Sequence, residues 1–219
     1  MILQQNSKLL IMGDSITDCG RTQPVGEGLF LPYGNGWVNV VVGLLGAFYP
    51  ERRIRVVNMG TSGHTVRDLK DRWQRDVFDQ KPDWVAVMIG TNDVWRQMDS
   101  PLMPEQHVGL EEYRATLERL VVDTLPKVSG MVLMTPFYVE PNPADTMRAR
   151  MDEYGAVVRA IAQAHGTLFV DTQAVFNGLL ANYHSSYVCW DRVHPGIIGH
   201  TAIAHAFLDA IGFRWDAAQ

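Results

Sequence analysis

Five short apolar runs, each bounded by turn residues and separated by longer amphipathic stretches, constrain this chain more than any other feature. They are residues 8–12 (KLLIM), 53–59 (RIRVVNM), 83–89 (DWVAVMI), 130–135 (GMVLMT) and 167–171 (TLFVD). Most are continuously apolar rather than alternating, as strands covered on both faces are. Helical patterns run between them. Residues 33–48 carry Trp37, Val40, Val41, Leu44 and Leu45 at helical spacing, and residues 65–78 place Leu69, Trp73 and Val77 on one face. Residues 110–125 carry Leu117, Leu120 and Val121, and residues 146–165 carry Met147, Met151, Tyr154, Val158 and Ile161. A last helix spans 197–211, with Gly212 as its stop. Strand and helix in alternation predict a parallel sheet with right-handed crossovers: an α/β chain, a three-layer α/β/α sandwich with five strands. A chain of 219 residues, 47% of them hydrophobic, can bury one such core, so a single domain over residues 1–219 is expected.

The charge balance removes some partners. A formal net charge of −5 offers no field for nucleic acid or an anionic membrane. No stretch is long and apolar enough to span a bilayer. Residues 1–7 lack a basic segment followed by an apolar run, so the expected location is cytoplasmic. Cys19 and Cys189 fit neither a metal pattern nor a disulfide framework and are expected to be small buried residues.

Ligands in such sheets sit outside the C-terminal ends of the strands. The first run leads into Gly13-Asp14-Ser15-Ile16-Thr17-Asp18, which puts a hydroxyl at the sheet edge. On that segment alone, a nucleophile and a helix cap are equally good readings. The second run leads into Gly60-Thr61-Ser62-Gly63-His64-Thr65, where glycines let a backbone N–H point into a cleft or simply make a tight turn capped by Thr65. The third leads into Gly90-Thr91-Asn92-Asp93, with an amide donor in Asn92 and a possible cap in Asp93. Near the end stands Trp190-Asp191-Arg192-Val193-His194-Pro195. Three residues of separation let the Asp191 carboxylate reach one imidazole nitrogen of His194, which leaves the other free as a base. Pro195 then suits the first turn of the last helix. His107, His165, His184, His200 and His205 read as surface or core residues. Together the segments supply a nucleophile, a base, an orienting acid and oxyanion donors, every part that acyl transfer requires, with no metal or organic cofactor.

This set of blocks resembles the GDSL or SGNH hydrolase family, whose blocks are marked by Ser, Gly, Asn and His. Here they match Ser15, Gly63, Asn92 and His194, and Ile16 stands where the family has Leu after the serine. The resemblance implies a flavodoxin-like sandwich. It implies a triad of Ser15, Asp191 and His194, and an oxyanion hole made by the N–H groups of Ser15 and Gly63 with the Asn92 side chain. The stretch from Met88 to Arg96 and the Trp190 before Asp191 are most similar to a bacterial branch that removes acetyl groups from carbohydrates, xylan-derived sugars included. The implied activity is that of a serine esterase acting on short-acyl esters of oligosaccharides.

Other features are read more loosely. Trp95, Trp190 and Tyr183 lie near motif residues; their faces suit sugar rings and suit ordinary packing equally. Arg96 has Asp93 as one possible partner, and Arg67 with Asp68 reads as a solvated helix face. Residues 22–32 and 95–108 read as irregular loops able to rim a site. Phe213 and Trp215 near the end suggest a contact between copies in a homo-oligomer. The rival functions are a lipid-type esterase, lysophospholipase or thioesterase of the same fold, a non-catalytic carbohydrate-binding protein, and a flavodoxin-type cofactor binder. The last lacks a phosphate-cradling glycine run after the first strand.

Overall fold

The computed structural model describes residues 1–216; residues 217–219 of the expected domain lie outside the described residues. The strands form where the apolar runs stand: β1 Lys8–Gly13, β2 Arg55–Gly60, β3 Trp84–Met88, β4 Gly130–Met134 and β5 Leu168–Val170. All pair in parallel, in the order β2-β1-β3-β4-β5. A period of two persists inside the apolar runs. Leu9 and Ile11 join the core on one face of the sheet, and Leu10 and Met12 the core on the other. Both faces are covered, which is why alternation with polar residues is missing.

Helices α1 Ser15–Asp18, α2 Trp37–Phe48, α3 Val66–Trp73, α4 Thr91–Asp99, α5 Leu110–Thr124, α6 Thr146–His165, α7 Thr172–Leu180, α8 Ser185–Val188 and α9 Ile197–Ala210 fill the connections. α3, α5 and α6 bury Leu69, Leu117 and Val158 in one core, while α2, α7 and α9 bury Val41, Phe176 and Phe207 in the other. The result is the three-layer sandwich with the doubly wound strand order of flavodoxin-type sheets. In that order the winding reverses between β1 and β3, so the crevice at their C-terminal ends is the place for a ligand.

Some segments depart from expectation. The helix expected over 65–78 is regular only to Trp73 and then widens into a π-helical turn, Gln74–Phe78. The stretch 95–108 begins inside α4 rather than as a loop, and α7 and α8 carry too little apolar periodicity to be read from sequence. Pro195 lies outside α9, which starts after the N-cap Gly196. Arg67 is not simply solvated: it pairs with Glu112 and donates to the carbonyl oxygen of His107, while Asp68 closes a capping box with Thr65. The C-terminal aromatics fold back. Phe213 packs on Phe48 and Tyr49, and Trp215 stacks on His205 and donates to Asp209 at 2.8 Å.

Candidate active site

The crevice is built first by close approach of backbone. α1 is a single turn that sits directly on the end of β2, where a Cβ on Gly60 would lie 2.4 Å from the backbone nitrogen of Asp18. Only glycine leaves room. Asp14 caps α1 by accepting the Ile16 N–H at 3.0 Å, so the sequence's cap reading belongs to Asp14 and leaves the Ser15 hydroxyl free. Burial pushes the Asp14 carboxyl up to about 6, against the Ile16 N–H and the charge of His194, which favour its ionised form.

The Ser15 hydroxyl lies 2.8 Å from Nε2 of His194, although 179 residues separate them. Nδ1 of His194 lies 2.6 Å from Oδ2 of Asp191. Hydrogen-bond logic assigns the proton to Nδ1, which leaves the Nε2 lone pair facing the hydroxyl. The other carboxylate oxygen, Oδ1, accepts the backbone N–H groups of His194 at 2.7 Å and Val193 at 3.0 Å, and the Cys189 thiol at 3.5 Å. Burial raises the Asp191 pKa, but these donors and the imidazole outweigh it and hold the carboxyl at about 2. Burial and the neighbouring Asp191 push the Cys189 thiol far up, so it stays protonated and donates.

The opposite wall is a loop after β2. Ser62 donates through its N–H and its hydroxyl to Asp18 at 3.0 and 2.7 Å, which ties the loop to α1. Gly63 follows with φ +81°, a left-handed conformation that disfavours any side chain. Asn92, at the start of α4, gives one amide proton to the carbonyl of His64 at 2.9 Å. Asp93 does not cap its own helix; it is fully buried and accepts the Val66 N–H at 3.0 Å, pinning the first residue of α3. Burial pushes Asp93 up to about 7 against that same N–H. Among the described residues, the backbone N–H groups of Ser15 and Gly63 find no protein acceptor. With the second amide proton of Asn92 they leave open donors in the segments around the Ser15 hydroxyl. A nucleophile, a base held by an acid, and open donors are together fitted to attack a carbonyl and hold the charge that forms on its oxygen.

The aromatic candidates separate. The Trp95 ring packs 5.7 Å from the His194 ring, and the Arg96 guanidinium lies 4.9 Å over the Trp95 ring and is paired to Asp99, not Asp93. Trp190 is 87% exposed beside Asp191. Tyr183 stands against Tyr187, 5.4 Å between rings, and makes no hydrogen bond to Ser15, Asp191 or His194. His200 is a buried core residue that caps α2 by accepting the Trp37 N–H, and burial, helped by the His194 charge, pushes it down to about 4. Sequence reasoning missed the supports: Asp18 on Ser62, Asp93 on Val66, and the His64 carbonyl on Asn92. Only the acidic residues beside the motif positions pointed to them.

Known proteins share the family and the fold of this chain. Residues 11–202 match the GDSL-like Lipase/Acylhydrolase family. The chain is 59% identical over 215 residues, 98% of each chain, to an acetylxylan esterase from Geobacillus stearothermophilus. It is similar to the crystal structure of Axe2, an acetylxylan esterase from that organism, with a TM-score of 0.98 at 57% identity and full coverage of both chains. Catalytic mutants of Axe2 have a serine, a histidine or an aspartate replaced by alanine. It is also similar to LAE5, an alpha/beta hydrolase enzyme from the metagenome of Lake Arreo, Spain, with a TM-score of 0.96 at 55% identity, covering 97% of this chain and 98% of that one. The motif blocks stand in family order along the sequence, fold into one crevice and lie within the matched span, and the chain belongs to the GDSL-like lipase/acylhydrolase family.

Proposed function

We propose that the chain is a serine esterase that removes short acyl groups, acetyl above all, from esters of oligosaccharides such as acetylated xylan fragments. The observation that carries this is the relay from Asp191 through His194 to the Ser15 hydroxyl, at 2.6 and 2.8 Å. In the proposed mechanism Asp191 holds His194 with its proton on Nδ1. Nε2 takes the Ser15 proton as Oγ bonds to the ester carbonyl carbon. The N–H groups of Ser15 and Gly63 and the Asn92 amide receive the oxyanion. The carbon–oxygen bond to the sugar breaks, and the sugar hydroxyl leaves with the proton from His194. Water, activated by the same nitrogen, then attacks the acyl-enzyme, and the acid departs as Ser15 regains its proton.

The identity of the substrate rests on the acetylxylan esterases to which the chain is similar and on the open setting of the site. The His194 and Asp191 side chains are 44% and 38% exposed, room for a bulky hydrophilic alcohol rather than an enclosing acyl tunnel. Trp190, exposed beside Asp191, is the proposed face for a sugar ring, with Trp95 and Tyr183 as weaker candidates. Ser15→Ala should lower kcat by about 10⁴-fold or more. Acetylated xylo-oligosaccharides should be cleaved faster than octanoyl esters; the reverse order would favour the lipid-type rival.

Residues 1–219 are proposed as one domain, and the protein as a homo-oligomer using the half-exposed Trp215. Light scattering on wild type and Trp215→Ala tests the second point, and a monomer in both removes it. Among the described residues no helix is long and apolar enough to cross a membrane. The free thiols Cys19 and Cys189 suit the reducing conditions of a proposed cytoplasmic location.

A further inference from the structure

The turn that carries His194 is braced by a side chain that no chemical step uses. Arg192, between Asp191 and His194, has φ +65°. Glycine is the ordinary occupant of that conformation, and an arginine kept there needs compensating contacts. They come from the segment that leaves β4. The Arg192 guanidinium lies 2.7 Å from Oε2 of Glu140. The Arg192 carbonyl accepts the Val139 N–H at 2.9 Å.

That segment is itself fixed. Glu140 is buried, its Oε1 accepts the Asn142 N–H at 2.9 Å, and its carbonyl oxygen accepts from Arg148 Nη1 at 2.6 Å. Arg148 is buried in α6 and paired with Asp152. Tyr138 is tied to Gln173 of α7 through its backbone N–H at 2.8 Å and its carbonyl at 3.2 Å. Two helices and a strand end therefore reach the turn through two groups of one residue. An exposed ion pair is worth little, but here one partner is a buried carboxylate whose cation is Arg192.

We infer that Arg192 and Glu140 are positioning residues that hold the Asp191–His194 turn in register with Ser15. This rests on the reading of His194 as the general base. The 2.8 Å contact from Nε2 to the Ser15 hydroxyl tolerates little movement, and a shift of about 1 Å can cost on the order of 100-fold in rate.

The test uses Glu140→Gln, Arg192→Gly, Arg192→Lys and the Glu140→Gln/Arg192→Gly double variant, with Ser15→Ala alongside. kcat and KM for p-nitrophenyl acetate, the thermal midpoint, and the downfield proton resonance of His194 Nδ1–H are read for each. Glu140→Gln and Arg192→Gly should each lower kcat about tenfold with KM within about twofold. Arg192→Gly should do so although glycine relieves the left-handed backbone. The double variant should lose little more than either single, and Arg192→Lys should recover part of the loss. The Nδ1–H resonance should shift or broaden in the impaired variants and return toward the wild-type signal in Arg192→Lys. Unchanged kcat with an unmoved resonance overturns the inference, as does a kcat that only tracks the folded fraction. Near-full activity in Ser15→Ala overturns the reading of the site itself, whereas an inactive Ser15→Ala beside an unaffected Glu140→Gln sinks the positioning role alone.

Discussion

Asn92 has two amide protons, and the structure commits one of them to the His64 carbonyl at 2.9 Å. The committed proton orients the amide, so the free one is presented without further loss of rotamer freedom. Such preorganised donors stabilise a developing oxyanion more than flexible ones do. Asn92→Ala should lower kcat about 10²- to 10³-fold with a smaller change in KM. Steady-state kinetics on an acetyl ester checks this, and a loss confined to KM would assign Asn92 to ground-state binding instead. At this scale the residues proposed for the reaction were legible, because Ser15, Asn92, Asp191 and His194 are of the types that acyl transfer calls for, and the structure joins Ser15, His194 and Asp191 by hydrogen bonds. Their supports were not. Asp93 reads as a turn cap in sequence, yet its carboxylate reaches Val66, which is 27 positions away.

Elements deliver these residues to one place. β1, β2 and β3 are neighbours in the sheet, so the segments after them converge. Gly60, the last residue of β2, and Gly63, in the loop after it, do different jobs there. A Cβ on Gly60 would collide with the backbone of Asp18 in α1, whereas a Cβ on Gly63 would meet nothing within 4 Å. Gly60→Ala should therefore push α1 and the Ser15 it carries, lowering both the thermal midpoint and kcat. Gly63→Ala should cost about 1–2 kcal/mol of backbone strain and lower kcat through a reoriented N–H. Calorimetry and kinetics on the pair separate these outcomes; a Gly60→Ala protein as stable and active as wild type would show that α1 can shift freely. Strand runs were readable here because burial on both faces leaves continuous apolar sequence. α4 was not, because its first turn is occupied by buried polar groups, Thr91, Asn92 and Asp93, rather than by an apolar stripe.

For the whole molecule, buried titratable groups set opposing demands on pH. Burial keeps Asp93 protonated up to about pH 7, against an ordinary value of 3.8, and Asp14 up to about 6. Folding binds these protons, so this part of the stability is complete at low pH and is lost as pH rises through those values. His200, pushed down from 6.5 to about 4, acts the other way: folding releases its proton, and stability falls as pH drops through that window. Asp93→Asn removes one arm of this balance. Its thermal midpoint relative to wild type should rise steadily from about pH 4 to about pH 8. A pH-independent offset would mean that Asp93 titrates alike in the folded and unfolded chain.

By itself the sequence determined the fold class, the five strands and the longer helices between them, and the motif segments that the fold draws together at the sheet edge. Those properties follow from short-range physics: apolar period, glycine turns, and a carboxylate three residues from an imidazole. Tertiary structure decided the rest. It brought Ser15 Oγ within 2.8 Å of a nitrogen 179 residues away, left the N–H groups of Ser15 and Gly63 open, buried Asp93, laid Trp95 on His194 and tied Arg192 to Glu140. These are contacts between segments far apart in the chain, set by how two cores close over a sheet, and no local periodicity encodes them.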